Sequence, residues 1–194
     1  MTARMLVRGT LVLVLVVTSW IVPRAAQTSG PSSSLPLDAV TDYIHAVIQA
    51  DREIYTKHVV ERMQTKGIVV ASENWQEKNA LPLPAQFLMD SAHLVARKSN
   101  IRIRLISLWP INHRNGPTTE FEKTGLATVI TQPDRPHTGF FENGQKWYFQ
   151  ALYADRAISQ ACIGCHNAHP DSPKRDFKQN DVMGGILITV PAGQ

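Results

Sequence analysis

The stretch TGFFENGQKWYFQALYA, residues 138–154, carries the decision about the fold. Apolar and aromatic side chains crowd both halves, and Asn143-Gly144 stands between them, a dipeptide suited to the tight turn of a hairpin. Two strands joined in this way are antiparallel. Downstream, VMGGILITV (182–190) reads as a last strand. Upstream, IRIRLISLW (101–109) alternates apolar and polar residues, the period-two signature of a half-buried strand.

Ahead of these strands the period changes. From Leu37 to about Lys66 the apolar positions recur as Val40, Tyr43, Ile44, Val47, Ile48, Ile54, Tyr55, Val59 and Met63, which predicts a long amphipathic helix that Gly67 stops. LPLP (81–84) punctuates the chain before a second helix over 85–98, with Phe87, Leu88, Ser91, Leu94 and Val95 on one face. A third helix fits 118–130. PINHRNGP (110–117) and DSPKRDFKQND (171–181) read as loops, and no internal repeat is present. Helices gathered before and between antiparallel strands make an α+β domain over 37–194, preceded by its long N-terminal amphipathic helix.

The first 26 residues, MTARMLVRGTLVLVLVVTSWIVPRAA, have the anatomy of an export leader: Arg4 and Arg8, then an apolar run from Gly9 to Val22. That run is shorter than the ~20 residues a membrane-spanning helix needs, which favours a cleaved signal peptide. Arg24 spoils a cut after Ala26, so an N-terminal membrane anchor stays open. Either way the body is expected in the periplasm or on the outer face of the cytoplasmic membrane. QTSGPSSSLP (27–36) is a flexible linker. Of 20 basic side chains, Arg4, Arg8 and Arg24 belong to the leader, so the body balances its 16 acidic residues to within one charge. No basic patch interleaved with aromatics stands out, and no nucleic-acid partner is read.

AISQACIGCHNAHPDSP (157–173) holds the only two cysteines, Cys162 and Cys165, followed directly by His166. A structural zinc site needs four ligands, and no second pair exists at a zinc spacing. A thioredoxin-like redox pair sits at a helix start in a βαβ unit, whereas this pair lies between antiparallel strands. The remaining use of C-x-x-C-H is a covalent c-type haem: two thiols reach the two porphyrin vinyl groups, and the next histidine binds the iron as proximal ligand. Such attachment is completed outside the cytoplasm, in agreement with the leader. One haem c is expected at Cys162, Cys165 and His166, with a disulfide or redox pair as the other readings.

For the opposite face of the iron, His45, His58, His93, His113, His137 and His169 are available, besides five methionines. At ~100° per residue His58 returns to the angle of Val40, with Ile44, Val47 and Tyr55 close beside it, in the middle of the expected buried stripe. His45 falls near the edge of that stripe and His93 on the wet side of its helix. His113 and His137 are in polar loops, and His169 is too near His166. His58 is the candidate distal ligand. The competing readings are a core histidine bonded to a carbonyl or a propionate, and an open distal pocket.

LPLPAQF, IRIRLISLWPINHRNGP, IYTKHVVERM and YADRAISQACIGCHNAHPDSPKRDFKQNDVMGGILITVP together resemble the single-haem, PAS-like c-type haem domains, a family long catalogued as a domain of unknown function. The resemblance runs from about Val40 to Pro191, and C-x-x-C-H followed by N-x-H-P-x-S-P-K is more specific than C-x-x-C-H alone. Members occur as stand-alone exported proteins and as the extracytoplasmic sensor part of signalling proteins. The resemblance implies a PAS-like antiparallel sheet with flanking helices, haem attachment at Cys162 and Cys165, and His166 on the iron. It also implies a second axial ligand from the early helical region, a cysteine in some relatives. This chain has no spare cysteine, so His58 is carried into that role.

The expected function is electron transfer by an exported monohaem c-type cytochrome working with a redox partner protein. The alternative is a redox- or gas-sensing haem domain that signals through a separate protein, because the sequence ends four residues beyond its last strand and holds no output domain. No acid/base constellation for haem enzyme chemistry stands out, so no enzyme is read. Trp147, Tyr148, Phe149 and Tyr153 read as core and pocket wall rather than an electron path. PKRDFK (173–178) reads as a solvated loop rather than a docking patch.

Overall fold

The computed structural model describes residues 34–193; the leader and residues 27–33 of the linker lie outside them. Helix α1 (Leu37–Ile54) runs without a break into a π-helical segment (Tyr55–Glu61) and a last α-helical turn, α2 (Arg62–Thr65). Then come α3 (Pro84–Lys98), β1 (Arg102–Ile106), α4 (Glu120–Thr131), β2 (His137–Asn143), β3 (Lys146–Arg156), α5 (Gln160–Ala168) and β4 (Val182–Pro191). The helix starts have local causes. Pro84 opens α3 while the Gln86 side chain accepts from the Leu83 N–H at 2.9 Å. Thr119 caps α4 by accepting from the Glu122 N–H at 3.2 Å, and Glu122 accepts in return from the Thr118 N–H at 2.7 Å.

All neighbouring strands are antiparallel, in the order β1-β4-β3-β2. The expected hairpin is present, with its turn one residue later than the Asn-Gly signal suggests. Asn143 still pairs with Lys146, so Gly144 and Gln145 make the turn, and Gly144 takes the positive φ of +67° at the first central position. The central strand β4 is buried on both faces. Ile186, Ile188 and Val190 join Phe149, Ala151, Tyr153 and Ile103 under α3 (Leu88, Ala92) and α1. Leu187 points the other way, with Leu152 and Ile106, against Leu126 of α4. Gly125 lets α4 approach this closely: a Cβ there would stand 2.7 Å from Leu152. The result is a three-layer α+β domain.

The long helix turns a different face to the core from the expected one. Tyr43 and Val47 are each 62% exposed and Ile54 is 54% exposed, while Thr41, Arg52, Thr56 and Val60 are buried, with Ile44, His45 and Ile48 half-buried beside them. The helix carries two stripes, and the more polar one packs with several of its polar groups paired to β3, while His45 Nε2, Gln49 Oε1 and Arg52 Nε stay without a hydrogen-bond partner among the described residues. The Tyr153 hydroxyl reaches Thr41 Oγ1 at 2.9 Å and Asp42 Oδ1 at 2.8 Å, and His45 stacks flat on the Tyr153 ring at 4.0 Å. A smaller correction holds on α3: Ala92, not Leu94, joins Leu88 in the core, and Leu94 is 50% exposed.

His45 Nε2 is buried without a hydrogen-bond partner among the described residues. Burial pushes its pKa below the ordinary 6.5, against the fields of Asp42 and Asp155. The folded chain therefore binds fewer protons at this site than the unfolded chain. The corresponding stability is full above about pH 6.5 and is lost as pH falls through the folded value. Thermal melts between neutral and mildly acidic pH should show this slope, and His45→Gln should reduce it, leaving the part that belongs to His166. An unchanged slope contradicts the assignment.

Candidate functional site

β3 ends in Arg156, and the chain turns into α5 at Ser159, whose Oγ accepts from the Cys162 N–H at 3.4 Å. The sequence reading assigns no helix here, although Ser159 three residues before Cys162 is an N-cap signal. One short helix thus carries Cys162, Cys165 and His166 on adjacent turns, and both thiols are free. His166 Nδ1 lies 3.0 Å from the Cys162 carbonyl oxygen. A carbonyl only accepts, so Nδ1 carries the proton and Nε2 keeps a lone pair for a metal. Burial lowers the His166 pKa, with the Cys162 hydrogen bond and Asp155 opposing, which favours the neutral, ligating imidazole. Partial burial of the Cys165 thiol, then Cys162 and Glu73, push its pKa up, so it is a protonated thiol near neutral pH.

The wall beside this helix is aromatic. Phe177 meets the His166 ring edge-on at 6.0 Å, and Trp109 meets Phe177 at 5.9 Å. Ala157, Met183 and Ile163 complete the cluster. The loop that carries Phe177 is tied to α5: Asn167 Nδ2 donates to the Phe177 carbonyl and Asn167 Oδ1 accepts from the Phe177 N–H, both at 3.0 Å. His169 Nδ1 accepts from the Asp171 N–H at 3.1 Å, while its Nε2 faces Glu73 at 3.3 Å. Lys174 lies over Phe177 and Trp109, 5.0 and 5.4 Å from the ring centroids. The PKRDFK segment is therefore more than a solvated loop, since Phe177 is buried and Lys174 is stacked. In the sequence, N-x-H-P after C-x-x-C-H is the signal for these ties.

The π-helical segment packs against α5, so the fold brings the His58 segment to the cysteines. His58 itself is exposed rather than in the middle of a buried stripe. The stripe is the opposite one, and the wider winding after Ile54 ends the straight helical count on which the expectation rests. His93 and His113 are exposed, while His137 is the first residue of β2 rather than part of a loop and rests against Phe121 on the α4 side of the sheet. Among the described residues no three His, Cys, Asp or Glu side chains converge on a point that would hold a metal ion directly. None of the described helices is long and apolar enough to cross a membrane.

A family model described as Tll0287-like matches residues 34–191, essentially all of the described chain. The chain belongs to the Tll0287-like family. Among solved structures it is similar to the crystal structure of the cyanobacterial heme-protein Tll0287, at 14% identity and a TM-score of 0.47, over 82% of this chain and 99% of that one. The comparison with curated proteins found no match.

In this Tll0287-like domain the helix that carries His58 is locked to the sheet by one buried ion pair. Both guanidinium nitrogens Nη1 and Nη2 of Arg52 reach the Asp155 carboxylate, the second at 3.0 Å from Oδ2. Burial works against the Arg52 charge, and Asp155 more than offsets it. Arg52 lies three residues before the π-helical segment begins at Tyr55, and Asp155 is the penultimate residue of β3, just before the chain turns to α5. Arg52→Met leaves a buried carboxylate alone and should lower unfolding free energy by about 3–5 kcal/mol. Arg52→Met/Asp155→Leu should recover most of that loss. Urea unfolding of the three proteins checks it, and additive losses contradict the pairing.

Proposed function

We propose that this domain carries one covalent haem c on α5 and transfers electrons after export, working with a redox partner protein in the periplasm or at the outer face of the cytoplasmic membrane. One observation carries the reading: two free thiols and a histidine share a single short helix, and that histidine's Nδ1 is tied to the Cys162 carbonyl with Nε2 left to bind. The family's namesake is described as a heme-protein, which supports the same cofactor. The donor set fits. Cys162 and Cys165 would hold the porphyrin edge as thioethers, His166 Nε2 would hold the iron, and Trp109, Phe177 and Ile163 supply an apolar wall.

The haem supplies a one-electron iron couple. The protein's own residues position it and tune it. The Cys162 carbonyl fixes the His166 ring and raises its basicity as a ligand. The Arg52–Asp155 pair places compensated charge beside the site, because the fields of both residues reach His166. His58, on the π-helical segment against α5, would be the second residue to hold the iron.

The packing of that segment on α5 also favours a second reading, a redox or gas sensor that signals through a separate protein. A change of ligand at the iron would then be felt along the long helix. An enzyme role is not part of either reading.

Visible spectra of the full chain, matured with haem c, separate these readings when compared with those of His58→Ala. The native protein should be low-spin in both oxidation states and take up carbon monoxide poorly. His58→Ala should become high-spin and bind the gas, with unchanged far-UV circular dichroism. A native protein that is already high-spin and binds the gas at once overturns the His58 assignment and moves sensing forward.

A further inference from the structure

The face of α1 that the core leaves in solvent is not a random scatter of apolar residues. Val40, Tyr43, Val47, Ala50 and Ile54 are spaced alternately three and four apart, the a and d positions of two heptads. Tyr43, Val47 and Ile54 are 62%, 62% and 54% exposed, Ala50 is exposed and Val40 half-buried. The buried row of Thr41, His45, Ile48 and Arg52 lies about 150° away around the helix at ~100° per residue. The seam thus points almost directly away from the domain. The π-helical winding that begins at Tyr55 ends the heptad register, so the seam is confined to α1.

We propose that this seam pairs with the same seam of a second copy of this chain, forming a short parallel two-stranded coiled coil. Three features select that occupant. Every a position is β-branched (Val40, Val47 and Ile54), as in two-stranded parallel seams, although the d positions hold Tyr43 and Ala50 in place of the Leu that completes that preference. The flanking positions, in parallel register, set Ala39 against Ile44 and Ala46 against Asp51, so no like charges meet across them. The chain enters the seam from the ten-residue linker 27–36, behind the apolar run Gly9–Val22. Where that run is retained as an anchor, two copies in one membrane present their α1 helices side by side, both starting at the membrane end, which is the parallel arrangement.

The seam is small. Its five residues fall well short of the roughly 20–30 per partner in a standard stable interface. The pair is therefore weak at low concentration and strengthens when two copies share one membrane, because tethering raises their effective concentration. The proposal does not depend on the haem reading, since it uses no residue of the cysteine helix.

Sedimentation equilibrium of the full chain in density-matched dodecyl maltoside micelles tests it. The native chain should show a monomer–dimer equilibrium. Val47→Glu puts a charge in the middle of the seam and should weaken it by at least about tenfold, whereas Val47→Ile should retain it. Leu94→Glu, at an exposed apolar position on α3, should leave it unchanged and controls for general surface charge. A native chain that stays monomeric at every concentration overturns the proposal and gives the face to the leader or to a foreign partner. A dimer indifferent to Val47→Glu overturns it equally, because association then runs through another surface.

Discussion

The buried pair of Arg52 and Asp155 is the constraint on which the site depends. Two charges out of water are tolerated only when each satisfies the other closely, so the pair fixes a distance and an orientation rather than adding much net stability. One end belongs to the last turn of α1 and the other to the end of β3. Everything after those two points, the π-helical segment on one side and the cysteine helix on the other, starts from a clamped position. His45 stacked on Tyr153, and Tyr153 bonded to Thr41 and Asp42, repeat the same clamp about two to three turns earlier. The long helix is held to the sheet by polar contacts at defined places, with apolar packing between them.

This explains what the sequence made legible and what it hid. The strands were readable because period two and the Asn143-Gly144 turn are local signals, and the α+β class followed from their order. The starts of α3 and α4 were readable to within two residues, that of α3 from the LPLP punctuation. The orientation of α1 was not. Its two stripes differ in apolar content in the direction opposite to their burial, and only the partners on β3, more than a hundred residues away, decide between them. A helical count assumes that the apolar stripe faces the core, and it assumes uniform winding. Here both assumptions fail, which is why His45 rather than His58 proves to be the packed histidine.

At the candidate site the division is similar. C-x-x-C-H announced its three residues because the chemistry needs them adjacent in the chain. The supporting residues are scattered: Trp109 comes from the loop after β1, Phe177 and Lys174 from the loop before β4, and Glu73 from the segment before α3. Only Asn167 and His169 lay within the readable motif, and their roles needed the fold, since Asn167 acts ten residues away on Phe177. The exposed seam of α1 was visible as periodicity from the start. Its outward direction is what turns it from a core prediction into an association surface.

Covalent haem on the cysteine helix is read most directly from the denatured mass of the full chain after expression with c-type haem maturation, followed by peptide mapping. One haem's added mass should survive denaturation and map to the peptide holding Cys162 and Cys165. The chain mass without haem, or haem released on denaturation, would contradict it.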